Sequence, residues 1–167
     1  RNDGPEYEAL NYQWNTLWGY MTPLVYLKAT TVRDVQIGVQ CATKTKIRCV
    51  PRSGGHSYAK NGFGDEDSLI IDLKSMNFIN VNKEKMTADI GPGALNGQIM
   101  YGGWKEGFLV SQGICPSVGA GGLFQGGGYG HFSRLLGMAA DSVIGMEMVD
   151  VKGRLNVVSN CSNTDLF

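Results

Sequence analysis

The stretch PRSGGHS, Pro51–Ser57, follows the strand-like run Lys46–Val50 and sets one of the chain's 2 histidines behind a double glycine. Such a loop serves as a plain tight turn, as an anion cradle or as the seat of a reactive imidazole. Its backbone offers successive N–H groups from Ser53 to Ser57 with little side-chain bulk, an arrangement that binds pyrophosphate oxygens. It carries neither the GK[ST] of a Walker loop nor the GxGxxG of a Rossmann fingerprint. Taken alone, it reads most simply as a tight loop with His56 facing solvent.

The flanks set it in a fold. Leu24–Leu27 reads as a first strand, and Thr30 or Thr31 caps a helix whose Val32, Val35, Val39 and Ala42 recur at helical spacing. Lys46–Val50 then returns parallel to the first strand as a βαβ unit. After the polar, glycine-rich loop Arg52–Asp67, the run SLIIDL, Ser68–Leu73, is apolar enough for a third strand buried on both faces. From Phe78 two short strands flank a charged turn. Leu95–Trp104 reads as a helix, weakened by Gly97, Gly102 and Gly103. Val143–Val158 reads as a hairpin around Lys152-Gly153, an ordinary surface turn, and Asn163–Asp165 as a helix start. No repeat is visible. The expectation is an α+β chain of two lobes dividing near Lys74–Asn77.

Composition narrows the function. At 167 residues the chain has the size of one domain. Its 15 basic and 15 acidic residues cancel, which leaves no basic stripe for nucleic acid or an anionic membrane. The longest apolar runs are strand-sized and too short for a bilayer. The first residues, RNDGPEYEAL, lack an initiator Met and the apolar core of a signal peptide, and read as a processed or trimmed terminus. Cys41, Cys49, Cys115 and Cys161 form no CxxC pair and no zinc spacing, so no metal is expected. Cys41 and Cys49 are candidates to pair. Asn160-Cys161-Ser162 is an N-glycosylation sequon, meaningful in a secreted chain.

Glycine is the outlier, with 24 residues, most of them from Gly91 onward. They lie among aliphatic and aromatic residues, as in backbone pressed closely against something flat. They are densest in CPSVGAGGLFQGGGYG, Cys115–Gly130, where Gly119, Gly121, Gly122, Gly126, Gly127, Gly128 and Gly130 follow Cys115-Pro116 directly. Core-like flanks on both sides put this run inside the fold. A cofactor lying against main chain fits that composition, and a buried structural thiol at Cys115 is the simpler alternative.

Taken together, RSGGHSY, LIIDL, IGPGALNGQI, GICPSVGAGG, GGGYG and LGMAADSVIGMEMVDVKG stand in the order and spacing of the flavin-linked oxidases related to berberine bridge enzyme. That superfamily shares the vanillyl-alcohol-oxidase type of FAD domain and includes the fungal oligosaccharide oxidases. From about Pro23 to Phe167 the chain resembles them. The resemblance implies an FAD-binding domain of the PCMH type over residues 1–167. A small βαβ lobe would cover about 1–76 and a mixed or antiparallel lobe about 77–167. It also implies that the second lobe is incomplete and that a substrate domain, with the catalytic base, lies beyond this chain.

The same resemblance implies FAD bonded covalently to His56 at the 8α-methyl carbon and to Cys115 at C6. A cysteine attacks as thiolate and an imidazole while neutral. The implied cofactor-binding residues are Arg52, Ser53, Gly54, Gly55, His56, Ser57, Cys115, Ser117, Val118, Gly119, Gly121, Gly122, Gly126, Gly127, Gly128, Gly130 and Val149. Gly54 and Gly55 would stand where a Cβ would collide with phosphate oxygens or force a poor backbone conformation. Val118 would admit dioxygen to the reduced ring. The implied reaction takes hydride from an alcohol, a hemiacetal or a similar carbon and passes the electrons to O2, giving H2O2. Leu123 stands where many members have histidine, which removes a donor near the flavin N1 edge. The alternative is a flavin-binding or allergen-like protein without turnover. An NAD domain is disfavoured, since no GxGxxG follows a strand. Family and sequon together imply a secreted glycoprotein.

Overall fold

A computed structural model describes residues 4–167. The reading of the first residues as a trimmed terminus falls partly on residues 1–3, outside those described. After a short helix α1 (Pro5–Leu10), strand β1 (Val25–Lys28) leads into helix α2 (Val32–Thr45). Thr31 starts α2, because its hydroxyl accepts from the Asp34 N–H at 3.2 Å while the Asp34 carboxylate accepts from the Thr31 N–H at 2.9 Å. Lys46 ends it in the left-handed region, at φ 57°. The expected stripe Val32, Val35, Val39 and Ala42 packs on Ala29, Leu69 and Ile71. Gly38 lets the helix sit low, where a Cβ would meet Leu27 and Ile71 side chains at 2.6 and 2.9 Å.

Strands β2 (Arg48–Arg52) and β3 (Ser68–Asp72) complete a parallel sheet in the order β1-β3-β2. The expected βαβ unit is present, with β1 and β2 parallel in one sheet and β3 lying between them, Ile70 opposite both Tyr26 and Val50. The physical reason is burial. All five residues of β3 are buried, and a strand without a solvent face belongs in the middle of a sheet.

The next stretch forms the hairpin β4 (Ile79–Asn82) and β5 (Thr87–Ile90), followed by helix α3 (Asn96–Glu106). Ala94, Ile99 and Ala120 make a second core with Ile79, Ile90, Val110 and Phe124 around it. Two single-turn helices, α4 (Ala120–Leu123) and α5 (Ser133–Leu136), precede the hairpin β6 (Gly145–Val149) and β7 (Leu155–Ser159). The turn of that hairpin is not a free surface turn. Gly153 is buried, its carbonyl accepts from Gln36 Nε2 at 2.9 Å, and the Val151 carbonyl accepts from Thr43 Oγ1 at 3.2 Å. The hairpin is docked on α2.

Asn163–Asp165 forms a turn where a helix start was expected. Asn163 has φ 47° and its Nδ2 donates to the Val157 carbonyl at 2.7 Å, which ties the segment back to β7. All four cysteines are free thiols, Cys41 exposed and Cys49 half-buried. Among the described residues, no helix is long and apolar enough to cross a membrane, and no group of three or more His, Cys, Asp or Glu is placed to hold a metal ion.

Candidate functional site

Strand β2 runs into Arg52, whose side chain is 1% exposed. A buried guanidinium needs partners, and this one has a particular set. Nη1 donates to Tyr26 Oη at 3.1 Å, Nη2 donates to the Tyr12 carbonyl, and the guanidinium lies 5.3 Å from the Phe63 ring centroid. Burial pushes the Tyr26 hydroxyl up to about 12, so it stays protonated and donates to Asn11 Oδ1 at 2.8 Å. Arg52 Nε has no partner, and neither does Oδ2 of Asp72, its register partner on β3. Above this charge the chain turns at Gly55, with φ 74°. A Cβ there would meet Arg52 Nε and Nη2 at 3.2 Å each.

The loop over the guanidinium has donors to spare. The Arg52 carbonyl accepts from the Leu73 N–H at 2.9 Å and closes the sheet. Beyond it, the backbone N–H groups of Gly54, Gly55, His56 and Ser57 donate to no described residue. The loop is instead pinned by side chains. Ser53 Oγ donates to the Pro92 carbonyl at 2.5 Å, and Ser57 Oγ accepts from the Asn61 N–H at 3.0 Å.

Helix α3 positions the Cys115 segment through its N-terminal donors, which have no partners inside the helix. The Asn96 N–H donates to the Val118 carbonyl and the Gly97 N–H to the Pro116 carbonyl, both at 2.9 Å. Asn96 Nδ2 donates to the Cys115 carbonyl at 3.0 Å, and Gln98 Oε1 accepts from the Leu95 N–H at 2.9 Å. This clamp brings the two motifs face to face. A Cβ on Gly54 would run into the Gly119 amide and come within 3.0 Å of the Ser117 carbonyl. The backbone of the other loop thus leaves no room for a Cβ at Gly54.

His56 sits at this junction. Its Nε2 is 3.0 Å from Ser117 Oγ, and its ring stacks on Trp14 with centroids 4.8 Å apart and planes 27° from parallel. Burial lowers its pKa, which favours the neutral imidazole. The cleft beside it has a volume of ≈ 330 Å³ and is lined by Tyr12, Trp14, Lys74, Gln98 and Ser117 together with His56. Burial lowers the Lys74 pKa, and the nearby Arg52 charge adds to that. Cys115 is exposed.

Of the residues singled out in the sequence, Arg52–His56 and Ser117–Gly121 come together. A Cβ on Gly121 would meet the Pro92 carbonyl at 2.9 Å and Ser53 Cβ at 3.2 Å. Gly126, Gly127, Gly128 and Gly130 form a separate backbone crossing. Gly127 and Gly128 have φ 94° and 68°, and their carbonyls accept from Ala140 and Ala139 at 2.9 and 2.8 Å. Val149 ends β6 opposite Leu155, in the hairpin and outside either loop. Leu123 fills an apolar gap, since a Cβ on Gly113 or Gly128 would meet its side chain at 3.1 or 3.2 Å. His131 is exposed. Sequence reasoning missed Trp14, for which the aromatic density of Tyr12–Tyr20 was the available signal, and Asn96, for which there was none.

Residues 23–159 match the family described as FAD binding domain. A xylooligosaccharide oxidase of Thermothelomyces thermophilus is 38% identical over 148 residues, covering 87% of this chain and 30% of that protein. Berberine bridge enzyme-like 9 of Arabidopsis thaliana is 36% identical over 139 residues, covering 80% of this chain and 26% of that protein. Among solved structures, the xylooligosaccharide oxidase from Myceliophthora thermophila C1 in complex with xylobiose superposes with a TM-score of 0.92 at 33% identity. That match covers 100% of this chain and 36% of the other. The chain thus spans about a third of the length of these relatives.

Proposed function

Because the chain belongs to the FAD-binding-domain family, we propose that it is the cofactor-holding part of a flavin-dependent oxidase acting on an alcohol or hemiacetal carbon of a carbohydrate-like substrate. The observation that carries this reading is the loop of unpaired N–H groups, Gly54–Ser57, laid over the buried Arg52 guanidinium and touching the Cys115 loop through Gly119. Those residues fit FAD. The N–H groups and the buried positive charge suit the pyrophosphate, and His56, Ser117 and Cys115 border the place for the ring. FAD, when bound, supplies the hydride acceptor, while the protein orients and tunes it.

In this reading His56 and Cys115 bond covalently to the cofactor. Burial favours the neutral His56 imidazole, which has a lone pair to offer, and Cys115 is free and exposed to an incoming ring. The other cofactor contacts are those expected from the sequence, the lobes divide near residues 76 and 77, and Val118 admits dioxygen, which leaves as hydrogen peroxide. An exposed Asn160 in the sequon favours secretion and glycosylation. The test is acid precipitation of the chain followed by mass measurement. We expect yellow precipitate and a mass higher than the sequence by one FAD; complete release of flavin into the supernatant would refute the covalent part.

A second reading, flavin binding without turnover, draws on Leu123, which is a packing residue and no donor. Peroxide release on adding oligosaccharides to the full-length protein separates the two.

A further inference from the structure

Two side chains hold the His56 imidazole, one across its face and one at its edge. Trp14 stacks on the ring at 4.8 Å, and is itself fixed by an edge contact with Tyr58 at 5.6 Å and 81°. Ser117 Oγ lies 3.0 Å from Nε2. Neither Trp14 nor the loop that carries it belongs to the glycine motifs. A stacked ring keeps one plane, and a bonded edge fixes rotation within that plane. The imidazole is therefore oriented before anything binds.

A neutral imidazole has one N–H and one lone pair, on different nitrogens. With Ser117 Oγ in the bonding direction of Nε2, an incoming electrophile is met by Nδ1. Attack by Nδ1 requires the proton on Nε2, and a serine hydroxyl accepts that hydrogen bond. We propose that Ser117 is a positioning residue that keeps the His56 proton on Nε2 and so makes Nδ1 the nucleophile, with Trp14 holding the ring in the plane of approach.

This rests on the covalent reading above and deepens it. The step balances as follows. One N–C bond forms at Nδ1 and one C–H bond of the flavin 8α-methyl breaks. The electron pair passes into the flavin, and the Nε2 proton leaves through Ser117 to solvent, as does the methyl proton. Dioxygen is the oxidant; it takes two electrons and two protons and becomes hydrogen peroxide. The burial that keeps His56 neutral supports the same step, since a protonated ring has no lone pair to offer.

The test measures linkage on each residue of the full chain, not turnover. Wild type, Ser117→Ala, Ser117→Thr, Trp14→Leu and Trp14→Phe are incubated with FAD in air. Peptide mass spectrometry then gives the His56-linked and Cys115-linked fractions over time. Non-covalently bound flavin is recorded in the same samples. We expect Ser117→Ala and Trp14→Leu to slow linkage at His56 by about tenfold or more, the scale of a misplaced reacting group. The His56 rate is taken per bound flavin and against the Cys115 rate in the same sample, so that a change in occupancy is separated from a change in linkage at His56. Ser117→Thr, which keeps the hydroxyl, and Trp14→Phe, which keeps a stacking ring, should restore the rate. A wild-type rate at His56 in Ser117→Ala overturns the proposal alone. Loss of flavin binding altogether in that variant also overturns it, since Ser117 would then act in docking. A wild type with bound flavin and no His56 linkage overturns the covalent reading beneath it.

Discussion

Gly55 and Gly153 have the same backbone twist, φ 74°, and sit in turns of opposite design. At Gly153 the turn is closed by its own groups. The Asp150 carboxylate accepts from the Lys152 N–H at 2.8 Å, from the Arg154 N–H at 2.9 Å and from Arg154 Nε at 2.8 Å. The Gly153 N–H donates to the Asp150 carbonyl at 2.8 Å, and α2 takes up the Gly153 carbonyl. At Gly55 the N–H groups from Gly54 to Ser57 have no partner among the described residues, and the charge beneath them, Arg52, is itself one bond short at Nε. Backbone donors buried away from water are nearly always paired in folded proteins, and the Gly54–Ser57 loop is half-buried. The Gly153 turn is closed by its own hydrogen bonds, from the Lys152, Gly153 and Arg154 N–H groups, while the Gly55 turn leaves four N–H groups in a row without a partner among the described residues, the feature on which the proposed cofactor cradle rests.

Gly54→Val is the strongest way to break this contrast. The added side chain would occupy the place of the Gly119 amide, so the two loops must separate. The flavin-to-protein absorbance ratio of the purified variant should fall by about tenfold or more, as expected when reacting partners are displaced by an ångström or more. Full flavin content would show that contact between the loops is not what holds the cofactor. Gly55→Ala is milder. Its φ imposes a strain of about 1–2 kcal/mol and its Cβ presses on the Arg52 guanidinium. We expect flavin content to drop several-fold, with part of it recovered at high FAD concentration. Unchanged affinity, measured by titration with FAD, would separate the loop's twist from its binding.

What could be read in the sequence was whatever is local or periodic. The α2 stripe, its Thr31 cap, the apolar run of β3 and the hairpin around Gly153 all have short-range signals, and each is present. The ordered set of motifs carried the family, which the match over residues 23–159 supports. The non-local decisions were out of reach. Nothing in Ser68–Asp72 says which strands will flank it. Trp14 reaches His56 from a stretch with no regular structure, and the Asn96 amide meets the Cys115 carbonyl only because α3 points at that loop. Gly54 is instructive because glycine was expected there and is required, but the atom that forbids a Cβ is backbone of the other loop.

Gly153→Ala sharpens the comparison from the other side. The same φ carries the same strain, about 1–2 kcal/mol, and the Gln40 side chain must move from where Cβ would sit, its Nε2 at 2.8 Å. Stability should fall, with Tm lower by about 2–4 °C for each kcal/mol in a chain of this size. Flavin content per folded molecule should not change. A loss of flavin comparable to that of Gly55→Ala would mean that the hairpin and the glycine loop act as one unit, and the contrast between them would fail.

The smallest effect belongs to Asp150, and pH isolates it. Hydrogen bonding, first of all from the Arg154 backbone N–H, holds its carboxyl down at about 2, below the ordinary 3.8. A carboxyl whose pKa is lower folded than unfolded releases its proton more readily in the folded state. Its stabilisation is complete above the unfolded value and is lost as pH falls through the folded one. Asp150→Asn keeps a carbonyl oxygen for the Lys152 and Arg154 N–H groups but gives up the charge toward the Arg154 guanidinium, a pair at 2.7 Å on the exposed side of the turn. Exposed pairs contribute little, so the difference in Tm at neutral pH should be small, with wild type the higher. That difference should shrink between about pH 4 and pH 2 and vanish below, where both side chains are neutral. A gap that persists unchanged to pH 2 would show that the carboxylate's charge is not what the turn depends on. Flavin content measured at neutral pH should be identical in the two proteins, because the Asp150 turn is docked on α2 and lies in neither of the two glycine loops.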